Sequence, residues 1–72
     1  MTLDELRIEV LKASEDKPKE WRLGQFVFNY IEANYGNVAR EVQFIDKIDC
    51  FYKDENINSF LNACINRINY EN

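Results

Sequence analysis

Residues 21–35 decide most of what this chain can fold into. The segment carries Trp21, Leu23, Phe26, Val27, Phe28, Tyr30, Ile31 and Tyr35. Laid on a helix, these side chains nearly encircle the axis. A helix apolar on almost every side belongs in the middle of a fold, so the rest of the chain has to wrap it. What stays polar is one row, Arg22, Gln25, Asn29 and Glu32, whose spacing puts all four on one face. Pro18 or Glu20 is the expected start, because proline suits a first turn. Gly36 is the expected stop, as a left-handed cap.

The flanking segments supply the wrapping. Thr2 and Glu5 match a capping box. Leu3, Leu6, Val10 and Ala13 then recur at helical spacing, with Leu11 widening the stripe, which predicts a first helix over about 3–14. It ends before Pro18, since the residue preceding a proline avoids the helical region. Asn37 is placed to cap a short third helix over 38–47, with Val42 and Ile45 on its inner face and Val38 and Phe44 alongside. Val42, Phe44 and Ile45 also suit a strand, so helix and strand both stay open there. Residues 48–52 read as an irregular connector with aromatic anchors. Asp54 is the expected N-cap of a last helix, whose Ile57, Phe60, Leu61, Cys64, Ile65 and Ile68 keep the helical period. Its other side carries Asn58, Asn62, Asn66 and Asn69, a weakly charged face that is either plain surface or a dimer seam. The sum is one all-α domain over 1–72, a compact orthogonal bundle of three to four short helices with helix two central.

Composition narrows the function. A 72-residue chain buries only ~60% of its unfolded surface, and one core of this size yields ~3–5 kcal/mol. A second subunit is a common remedy, so the expected partner is a protein, a second copy of this chain included. Thirteen acids against nine bases leave a net charge of −4, which disfavours direct binding to phosphate backbones. With no His there is no Ser-His-Asp or Cys-His arrangement, and two Gly make no phosphate-cradling loop. Cys50 and Cys64 fit no zinc spacing. Neither an enzyme, a cofactor nor a metal is expected. No apolar run approaches the ~20 residues of a membrane span. The charged start, Asp4 and Glu5, does not resemble a secretion signal, so a cytoplasmic chain with reduced, buried thiols is expected.

The candidate interaction residues are Arg22, Gln25, Asn29, Asp49 and Tyr52. Arginine offers a rigid fork for a carboxylate or phosphate, and the two amides add donors and acceptors. If the row faces an open groove, it suits a peptide backbone or a carboxylate. Two structural readings compete with that one. In the first, the row is merely the solvent face of helix two. In the second, Arg22 pairs with Asp49 and Gln25 closes a loop's backbone groups, with Gly24 present because another backbone comes close. Two classes of function follow: a small interaction module, and a nucleic-acid-linked regulator or acidic DNA mimic.

Arg22-x-Gly24-Gln25, then Asn29, then Asp49-x-Phe51-Tyr52 with Asp54 just after, resembles a group of small bacterial and prophage proteins. The resemblance spans roughly 3–65, with a longer stretch over 30–48 in this chain. It implies a cytoplasmic setting and a mobile-element origin. Its motif positions here are Arg22, Gly24, Gln25, Asn29, Asp49, Phe51 and Tyr52, and it implies no activity.

Overall fold

The computed structural model describes residues 1–71, and of Glu71 the backbone alone. Four α-helices follow one another: α1 (Leu3–Ala13), α2 (Leu23–Tyr35), α3 (Val38–Phe44) and α4 (Ile57–Glu71). Short 3-10 turns at Ser14–Asp16 and Asp54–Asn56 follow α1 and lead into α4. Among the described residues there is no strand, so the segment left open between helix and strand is helical. The Cα radius of gyration is 11.1 Å, the ~11 Å expected of a folded chain this long.

The capping box forms at α1. Thr2 Oγ1 accepts from Glu5 N at 3.1 Å, and Glu5 Oε1 accepts from Thr2 N at 2.8 Å. The Thr2 backbone N–H, and after it the Thr2 hydroxyl, hold the Glu5 carboxyl below its ordinary value. Lys17 is extended, as the residue before a proline must be.

Helix α2 starts later than predicted. Residues 18–21 close a turn of their own, Trp21 N donating to Pro18 O at 3.1 Å. Arg22 is extended at the N-cap. The N–H of Gly24, one of the first-turn donors with no acceptor inside the helix, is taken by the Asp54 carboxylate at 3.0 Å. Trp21 lies off the helix. The helix stops at Gly36 as expected, but the glycine takes φ 67 and ψ −134 and not the left-handed helical ψ, a region that side chains with a Cβ rarely enter.

Helix α3 is shorter than predicted, and its N-cap Asn37 makes no side-chain cap bond. Val38, Ala39 and Val42 form its buried face. Ile45, expected inside, is 65% exposed. The chain unwinds at that point, with both Ile45 N and Asp46 N donating to Glu41 O and Lys47 taking φ 62. Asp54 also departs from its expected role. It opens the 3-10 turn before α4, and its carboxylate caps α2 across the fold.

Helix α2 packs against α3, α4 and both 3-10 turns, as its apolar girth requires. Helix α4 packs against α1, α2 and α3. Val27 and Ile31 of α2 meet Phe60, Leu61 and Cys64 of α4 in one core that also takes Leu6, Val10 and Val42. Helix α1 is tied to α2 by a polar joint as well. Glu9 accepts from Tyr30 Oη at 2.7 Å and from Tyr35 Oη at 2.8 and 3.0 Å. The bond to Glu9 pushes the Tyr30 hydroxyl up to about 12. Burial, then the same carboxylate, does so for Tyr35.

Candidate interaction site

The motif residues meet where the start of α2 docks on the 49–54 connector. Asp49 folds that connector on itself: its carboxylate accepts from Phe51 N at 3.1 Å, Tyr52 N at 3.3 Å and Gln43 Nε2 at 2.8 Å. Asn56 Nδ2 holds the Asp49 carbonyl at 2.8 Å. This is the self-bonding that suits aspartate to turns. Phe51 then drops inward and meets Phe28 edge-on, with ring centroids 5.6 Å apart at 89°.

Gly24 is the point of closest approach. Its N–H reaches Asp54, its carbonyl accepts from Cys50 Sγ at 3.3 Å, and its missing side chain makes room for the Cys50 carbonyl. A Cβ there would collide with that carbonyl oxygen and stand 2.8 Å from Asp54 Oδ1. Arg22 completes the clasp from outside, Nη2 donating to Phe51 O at 2.7 Å while its guanidinium lies 6.0 Å from the Tyr52 ring.

The structure thus brings Arg22, Asp49 and Tyr52 together, although Arg22 and Asp49 do not pair. Asp49 spends its oxygens on its own loop, which leaves the Phe51 carbonyl for Arg22. Gln25 plays no part in closing the loop. Gln25 and Asn29 continue along α2, half-exposed, with no side-chain hydrogen bond among the described residues. Glu32 is turned aside to Arg40 of α3 at 2.8 Å. Outermost is Tyr52, 72% exposed. The glycine inside a helical segment signals that another backbone comes near, but nothing in the sequence names Cys50 and Asp54 as its partners.

Burial pushes the Cys50 and Cys64 thiols up to about 12, the opposite of what a thiolate nucleophile needs. Among the described residues no group of three His, Cys, Asp or Glu side chains is placed to hold a metal ion, and no helix is long and apolar enough to cross a membrane.

A separate open groove of about 360 Å3 runs between the end of α3 and α4, lined by Asp46, Ala63, Asn66, Arg67 and Tyr70. Arg67 grips Asp46 through two bonds, at 3.0 and 2.8 Å, and lies 3.9 Å from Glu41. Arg67 holds the Asp46 carboxyl below its ordinary value. Nothing local in sequence announced this groove, since its ion pair joins residues 21 apart.

Compared with protein-family models, with curated proteins and with solved structures, the chain matches none.

Proposed function

We propose that the protein is a small, non-enzymatic protein–protein interaction module of bacterial or phage origin, working in the cytoplasm. Its partner is engaged through Arg22, Gln25, Asn29 and Tyr52. The observation that carries this reading is the exposed Arg22–Tyr52 pair, fixed from behind by the Phe51 carbonyl and continued along α2 by two amides with no hydrogen-bond partner among the described residues. Arginine and tyrosine held in advance are the residue types that dominate binding hot spots, and pre-fixing them lowers the ordering cost of association. A guanidinium with donors left over favours a carboxylate-bearing partner surface. The resemblance to small prophage proteins supports the mobile-element setting.

The test is affinity capture with the tagged protein against Tyr52→Ser, Gln25→Ala and Asn29→Ala, each on an exposed or half-exposed side chain whose removal leaves the clasp intact. A specific partner recovered by the parent and lost by these variants, but kept by Asn58→Ala on α4, is the expected result. Recovery of the same partner by every variant overturns the assignment of this surface.

A further inference from the structure

We propose that the outer face of α4 is a self-complementary seam that pairs two copies of this chain antiparallel, Tyr70 of each entering the other's groove beside Ala63. Three observations meet here. First, among the described side chains on the outer side of α4, Asn58, Ser59, Asn62, Asn66 and Tyr70 are exposed and uncharged, with half-buried Ala63 between them. Two copies that each carry −4 repel across most faces, and an uncharged face is where they can meet. Among the described side chains, the charges beside this strip are Arg67 and Asp46, which pair with each other with Glu41 close by. Second, the same strip holds both a knob and a hollow. Tyr70 is 91% exposed, and the groove of about 360 Å3 opens where Ala63 interrupts the larger side chains. Third, the spacing fits a two-fold. Ala63 and Tyr70 are two turns apart on one side of the helix. An antiparallel pair with its axis at Asn66 sets Tyr70 over Asn62 and Ala63 of the second copy, and the reverse.

Such an interface is isologous, so each knob–hollow contact occurs twice. At the axis, two Asn66 amides face each other, and an amide is both donor and acceptor, so it can bond its own copy. The contact is small. A 15-residue helix is ~22 Å long, which offers less than the ~800 Å2 per partner of a standard interface. The dimer is accordingly weak, with a dissociation constant of about 10–100 µM.

Sedimentation equilibrium between about 10 and 500 µM tests this range. The expected result is a mass rising from 8.6 kDa toward twice that value. Tyr70→Ser, on an exposed side chain, and Ala63→Arg, which fills the hollow, should each hold the chain at monomer mass to the top concentration, with circular dichroism unchanged. Under mild oxidation Asn66→Cys should cross-link as a dimer and Asn58→Cys, far from the axis, should not. A parent that stays monomeric, a dimer indifferent to Tyr70→Ser, or equal cross-linking at 58 and 66 overturns the proposal. This seam lies apart from the Arg22–Tyr52 surface, so Tyr52→Ser should leave the mass unchanged, and failure of either reading leaves the other standing.

Discussion

Gly24→Ala sets two physical effects against each other with opposite signs. In an ordinary helix interior this change gains ~1 kcal/mol, because alanine loses less conformational freedom on folding. Here the added Cβ would overlap the Cys50 carbonyl and crowd Asp54 Oδ1 at 2.8 Å. Backbone cannot swing away as a flexible side chain can, so the 49–54 connector must lift off α2. Lifting it breaks the charge-assisted bond from Gly24 N to Asp54, worth about 1.5–3 kcal/mol, and strains the bonds from Cys50 Sγ and Arg22, each about 1 kcal/mol at most. After the propensity gain, the net loss is about 0.5–4 kcal/mol and centres on ~2, a large share of the ~3–5 kcal/mol such a chain possesses. With a urea dependence near ~1 kcal/mol per molar for a domain this small, the midpoint should fall by about 2 M. The melting temperature should fall by about 10–20 °C. Equilibrium urea unfolding followed by circular dichroism reads this directly. A midpoint equal to or above the parent's would mean that helix propensity wins and that the tight approach of the connector to α2 is not a constraint on the fold.

Other outcomes follow from single features. Lys47→Gly relieves the one non-glycine residue with positive φ among those described, and should raise stability by about 0.5–1 kcal/mol in the same urea assay. Tyr30 and Tyr35 titrate at about 12 when folded against an ordinary 10, so their contribution is complete below pH 10 and is lost as pH rises through about 12. Melting temperature should drop across that window, and the drop should shrink in a Tyr30→Phe, Tyr35→Phe double variant. With both thiols fully buried, an aromatic disulfide reagent should leave the folded protein unlabelled at neutral pH and label two cysteines once urea unfolds it.

The sequence foretold what rests on periodicity. The apolar segments of α1, α2 and α4 each form a helix. The buried residues of α2, Gly24, Val27, Phe28 and Ile31, nevertheless lie along one face, and its other large apolar side chains are half-buried. Leu11, expected to widen the α1 stripe, is 44% exposed. What it could not tell is where two segments, distant in sequence, satisfy one another. Asp54 sits just before α4 and looks like its cap, yet its carboxylate is drawn 30 positions back to Gly24. That bond caps α2, which starts at Leu23 and leaves Trp21 and Arg22 outside the helix. Ile45 misled for a local reason. Its spacing from Val38 and Val42 suits a longer helix, but the turn through Lys47 ends α3 first. The partners of Arg22 could not be told apart for the same reason as the Asp54 cap: a carboxylate and a carbonyl two residues away are equally plausible acceptors until the loop has turned Asp49 inward.

The motif positions therefore divide into two sets with different physical consequences. Gly24, Asp49 and Phe51 face into the junction of α2 with the connector, and changing them acts through stability. Gln25, Asn29 and Tyr52 face out, make no side-chain hydrogen bond among the described residues, and should each cost no more than ~0.5 kcal/mol when truncated. Arg22 belongs to both sets, since one of its nitrogens fixes Phe51 O and the rest of the fork is exposed. A structural reading of the whole pattern predicts that only the inward set has any measurable effect. An interaction surface predicts that the outward set abolishes partner capture at unchanged melting temperature. Measuring both quantities on Tyr52→Ser separates the two, because this ring is 72% exposed, packs edge-on against Phe51 beside the Arg22 guanidinium, and has little fold to lose.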